Sequence, residues 1–69
     1  MEVVRFEIED QLYSARVSFS NDYILYHIYL DIEYLCTIGL NEHGTWETVE
    51  NVDQNLVRHV GSLIEDHSM

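Results

Sequence analysis

What most constrains this chain is a two-residue alternation that fills its first forty residues and then stops. In residues 3–9, VVRFEIE, Val4, Phe6 and Ile8 share one parity and Arg5, Glu7 and Glu9 the other. In residues 12–19, LYSARVSF, Tyr13, Ala15, Val17 and Phe19 oppose Ser14, Arg16 and Ser18. A side-chain period of two belongs to a strand with one buried face. Pairing Ile8 with Tyr13 sets Phe6 beside Ala15 and Val4 beside Val17 around a turn at Asp10-Gln11, so the apolar faces coincide. The same register puts Arg5 opposite Arg16, a like-charge pair that only Glu7 softens.

Ser20-Asn21-Asp22 is a second turn, built of residues that bond to their own backbone. A two-residue loop at Asn21-Asp22 pairs Phe19 with Ile24, Val17 with Tyr26 and Ala15 with Ile28. Strand three is then 23–30, with Ile24, Tyr26, Ile28 and Leu30 inward and Tyr23, Leu25, His27 and Tyr29 outward. After the loop Asp31-Ile32-Glu33, strand four is 34–40, with Tyr34, Cys36, Ile38 and Leu40 inward and Leu35, Thr37 and Gly39 outward. Asn41-Glu42-His43-Gly44 is the clearest turn, since Gly44 can take a positive φ. Residues 45–49, TWETV, make a short fifth strand at the edge.

The period then changes. Leu56, Val57, Val60, Leu63 and Ile64 form a helical stripe, which predicts a helix over 54–66. Asp53 is its N-cap, and Val52 and Val57 are placed as a hydrophobic staple. Gly61 weakens the helix interior but permits close approach to the sheet, over Trp46. Glu65 and Asp66 oppose the helix dipole, which predicts a frayed last turn. The expected fold is one α+β domain over residues 1–69: an antiparallel β-meander of four to five strands with one C-terminal α-helix on one face.

That layout leaves a coverage deficit. A helix of about fourteen residues is about 21 Å long and cannot shield both faces of a sheet. The uncovered face carries Val3, Leu12, Leu25, His27, Tyr29 and Leu35, and a large exposed apolar patch marks an interface. A homodimer is the simplest occupant, because two-fold dimers are the commonest oligomers. A core this small supplies only about 3–5 kcal/mol, which makes a partner useful.

Charge supplies the alternative. Thirteen acidic residues against three arginines and no lysine give a net charge of -10. Such a field repels nucleic acid and anionic membrane, so direct binding to either is not expected. A basic protein is the alternative partner, held by an acidic surface of Glu7, Glu9, Asp22, Asp31, Glu33, Glu47 and Glu50 that imitates nucleic acid. A small-ligand binder, with a pocket between helix and sheet, is the third reading. Asp31 and Glu33 interrupt the apolar stretch too soon for a membrane-spanning helix. One unpaired cysteine, Cys36, and a charged alternating start in place of a secretory leader point to the cytoplasm.

The C-terminal third resembles a known group. Gly44-Thr45-Trp46, followed by Leu56-Val57, Val60-Gly61 and Ile64-Glu65, looks like small uncharacterised bacterial proteins of unknown function. In those, strands end in a Gly-x-Trp turn and a helix follows that reads Leu-Val, then Ile-Gly or Val-Gly, then Ile-Glu. The resemblance implies a β-meander with a C-terminal helix, and no functional residues.

Catalytic, cofactor and metal sites are not expected. His59 and His67 lie about 12 Å apart along a helix, too far to share an ion. No Cys-x-x-Cys or His-Glu-x-x-His occurs. Ser14, Ser18 and His27 share a side of the sheet without a nucleophile elbow. Glu7 and Glu9 lie about 6.8 Å apart on one strand but without a cleft. Arg5, Arg16, His27 and Tyr29 converge on the open face, where they suit an acidic partner or a small anion.

Overall fold

The alternating segments become strands because tight two-residue loops return the chain on itself. The computed structural model describes residues 3–20 and 23–68. Its strands are β1 (Val3–Ile8), β2 (Gln11–Ser20), β3 (Tyr23–Leu30), β4 (Glu33–Leu40) and β5 (Trp46–Thr48), followed by α1 (Gln54–Ser68). The five strands form one antiparallel sheet in the order β1-β2-β3-β4-β5, so the fold is an α+β meander with one C-terminal helix. The turn at Asn21-Asp22, and with it Asp22 of the acidic set, lies outside the described residues.

The β2–β3 register is the expected one: Phe19 pairs with Ile24, Val17 with Tyr26 and Ala15 with Ile28. The β1–β2 register is not. Ile8 pairs with Gln11, Phe6 with Tyr13 and Val4 with Ala15, two residues away from the expected pairing. The loop is Glu9-Asp10, with φ of 50° and 67°, the paired positive values of the hairpin turn that matches strand twist. A shift of two keeps every side chain on its face, which is why alternation alone does not reveal it. It also removes the expected arginine clash, since Arg5 faces Ser14 and Arg16 faces Val3.

A larger departure follows β3. The loop there is only Asp31-Ile32, with Asp31 at φ 58°, so Glu33 already pairs with Leu30. The register then slips: Tyr29 pairs with Tyr34, but Ile28 pairs with Cys36, leaving Leu35 as the extra residue of a β-bulge. The bulge reverses two expected orientations. Tyr34 joins Tyr29 on the open side, its ring edge-on to that of Tyr29 at 5.6 Å. Leu35 packs against the core instead of standing on the open face.

The core lies between α1 and the sheet face that carries Phe6, Tyr13, Ala15, Ile28, Cys36 and Ile38. Phe6 stacks on its cross-strand partner Tyr13, with ring centroids 5.8 Å apart. Ala15, Ile28, Cys36 and Ile38 are buried beneath, and Val57, Val60 and Ile64 descend from the helix. Asp53 caps α1 as expected: its carboxylate accepts from the Asn55 amide at 2.9 Å. Val52 and Val57 both enter the core. Gly61 presses on Trp46 so closely that a Cβ there would lie 2.3 Å from the indole Cγ. The Trp46 Nε1 donates to Glu65 at 3.1 Å, a bond that ties the far half of the helix to β5. The helix runs to Ser68, two residues past the expected end, with His67 in its last turn.

The helix packs on β5 and reaches across to β1. It does not reach the end of the sheet where Phe19 pairs with Ile24. Phe19, Ile24 and Leu40, expected inward, are 76%, 48% and 44% exposed there. Their register makes them one apolar row across β2, β3 and β4.

Candidate functional site: the open face of the sheet

The registers place the open face in rows. One row is Val3, Arg16, His27 and Thr37; the next is Arg5, Ser14, Tyr29 and Tyr34. On the other side lies Ser18, Leu25, Gly39 and Glu47. Glu7 pairs with Leu12 at the far edge. Five of the six expected interface residues therefore share this face: Val3, Leu12, Leu25, His27 and Tyr29. Leu35 does not join them, for the reason given by the bulge. Leu12 is 52% exposed, whereas Leu25, His27 and Tyr29 are half-buried by their neighbours.

The middle of the face is more polar than alternation suggests, because its polar groups are joined. Ser18 Oγ lies 2.8 Å from His27 Nε2, and His27 Nδ1 lies 2.9 Å from Thr37 Oγ1. Thr37 Oγ1 lies 2.6 Å from the Tyr34 hydroxyl, which donates to Glu50 Oε2 at 2.9 Å. Proton counting fixes the direction of the chain. Tyr34 has one proton and gives it to Glu50, so it accepts from Thr37. Thr37 then accepts from His27 Nδ1–H. With the imidazole neutral, Nε2 is left to accept from Ser18. A chain of donors thus runs from Ser18 to the Glu50 carboxylate, with one tautomer of His27.

Glu50 also closes an edge. β5 ends at Thr48, and the next backbone groups of β4 would stand unpaired. Glu50 Oε1 accepts from the Thr37 amide at 3.2 Å, and the single Thr48 hydroxyl proton is shared between Glu50 Oε1 and the Thr37 carbonyl, each 2.8 Å from Thr48 Oγ1. The bonds from Thr48, Thr37 and Tyr34 hold the Glu50 carboxyl below its ordinary range. For Tyr34, the Thr37 bond pulls downward, but burial and the Glu50 charge leave the phenol above its ordinary range. Burial, then Glu50, raises the Cys36 thiol, which suits an inert core cysteine.

Charge divides the face. Arg5 and Arg16 stand on the β1–β2 half, with the Arg16 guanidinium 5.3 Å from the Tyr29 ring centroid. Among the described residues neither arginine has an ion-pair partner. Glu47 and Glu50 occupy the β5 edge of the opposite half. Gly39 opens an apolar concavity of about 700 Å³ beside Tyr23, Leu25 and Leu40, so the recess lies away from the helix and not under it.

The remaining expected acids scatter. Glu9 sits in the β1–β2 turn, Asp31 in the β3–β4 turn and Glu33 beside it. Glu7 is on the outer strand β1, at the opposite edge from Glu47 and Glu50. They do not form one continuous surface. Among the described residues no three His, Cys, Asp or Glu side chains group to hold a metal ion. No described helix is long and apolar enough to cross a membrane. No family model, curated protein or solved structure matches the chain.

Sequence reasoning missed the Tyr34–Thr37–Glu50 part of the chain. Its signal was present only in the loop: two residues, Asp31-Ile32, suffice for a hairpin, and the odd residue left over must become a bulge.

Proposed function

We propose that the protein is a non-catalytic interaction module that self-associates through the open face of its sheet. One observation carries this reading: α1 covers the opposite face, while Val3, Leu12, Tyr23, Leu25 and Tyr29 have no second layer above them. A β-sheet with apolar residues on both faces is completed by a layer on each. The Ser18–His27 pair supports positioning rather than catalysis, because it lies on an open sheet and its hydrogen bonds rigidify the surface. The scatter of Glu7, Glu9, Asp31 and Glu33 away from Glu47 and Glu50 draws support from the reading as an acidic decoy for a basic protein.

Sedimentation equilibrium from about 1 to 300 µM tests the proposal. The wild type is expected to dimerise. Leu12→Asp and Leu25→Asp should remain monomeric, while Ile24→Asp, in the other exposed row, should still dimerise. A wild type that stays monomeric throughout, with native circular dichroism, refutes it.

A further inference from the structure

We infer that two copies pair face to face about a two-fold axis parallel to the strands, so that β1–β2 of each lies over β4–β5 of the other. The inference rests on self-association through the open face and adds its geometry. Two observations lead to it.

The first is where repulsion is least. The chain as a whole carries -10, so two copies repel over most of their surfaces. The open face holds Arg5 and Arg16 against Glu7, Asp31, Glu47 and Glu50, two of the three arginines against four of the thirteen acids. It therefore carries a much smaller share of the negative charge than the rest of the surface, and two copies meet there at a smaller electrostatic penalty.

The second is how its charges are divided. Packing two sheets face to face by a two-fold requires an axis in the plane between them. An axis across the strands stacks β1 on β1 and β5 on β5, which sets arginine over arginine and glutamate over glutamate. An axis along the strands exchanges the halves. Arg5 and Arg16 then lie over the β5 edge that carries Glu47 and Glu50 of the partner subunit, and both arginines, which have no ion-pair partner among the described residues of their own chain, gain a counter-charge. Leu25, His27 and Tyr29, on the central strand, meet their own counterparts near the axis. Size is consistent with a reversible dimer. Eight residues of β3 and four inter-strand spacings give a face of about 500 Å², or about 1,000 Å² for the pair, near the lower bound for a specific interface.

Charge exchange tests the axis separately from dimerisation. Arg16→Glu and Glu47→Arg alter exposed positions, and each alone should weaken the dimer about tenfold, because two attractions become two repulsions at once. Mixing the two single variants should restore pairing as a heterodimer, and the double variant Arg16→Glu/Glu47→Arg should restore the homodimer. A dimer that neither single variant weakens overturns this axis and leaves self-association standing. So does a dimer weakened by both but rescued by neither the mixture nor the double variant. A monomeric wild type overturns both.

Discussion

Replacing Gly61 by alanine sets two opposed effects against each other, and the structure decides between them. Alanine gains about 1 kcal/mol of intrinsic helix propensity. Its Cβ, however, would lie 2.3, 2.4 and 2.6 Å from Trp46 Cγ, Cδ1 and Cδ2. Carbon atoms attract at about 3.5–4.0 Å, so helix and indole must separate by about 1 Å. The indole has little room: it is 8% exposed, edge-on to Tyr26 at 5.6 Å and bonded to Glu65. Lifting the helix loosens Val57, Val60 and Ile64, which are buried beside it. Overpacking of this kind costs about 1–3 kcal/mol and at times more. With the lost Trp46–Glu65 bond the net expectation is a destabilisation of about 1–3 kcal/mol, or a Tm lower by about 5–20 °C for a domain of this size. Urea unfolding followed by the fluorescence of Trp46, the single tryptophan, measures it. A Gly61→Ala protein as stable as wild type, or more so, would refute the close contact and with it the account of how α1 docks.

Two further outcomes are expected. Glu50 has a lowered pKa in the folded state, so its contribution is complete above the unfolded value of about 4.3 and is lost as pH falls through that value toward the folded one. The stability gap between wild type and Glu50→Gln should therefore narrow from about pH 5 downward, and denaturant midpoints that run parallel with pH would contradict the bonding described. In the β1–β2 turn, Glu9 and Asp10 both hold positive φ, so replacing Glu9-Asp10 by Asn-Gly should stabilise by about 0.5–1 kcal/mol. An unchanged or lower urea midpoint would argue against that turn.

The candidate site sorts by what reads it. Residues whose face follows from local parity were legible: Val3, Leu12, Leu25, His27 and Tyr29 stand where alternation put them. Leu35 and Tyr34 exchanged sides because the bulge at Leu35 inverts parity between it and the preceding turn, and parity does not report its own interruptions. Glu50 was legible only as an acid. Its role depends on β5 stopping at Thr48 and leaving the Thr37 backbone groups to be met by side chains.

The sequence by itself determined the strands, the change of period at Asp53, the cap of the helix and the seat of Gly61 over Trp46. These depend on neighbours in sequence, or on a glycine that leaves space. Only the tertiary structure decided the β1–β2 register, since a slip of two leaves every face unchanged. It alone decided the reach of α1, which crosses from β5 to β1 and leaves Phe19, Ile24 and Leu40 bare. It also assembled the chain from Ser18 to Glu50, because hydrogen bonds across three strands and a loop are set by distances that no local pattern encodes.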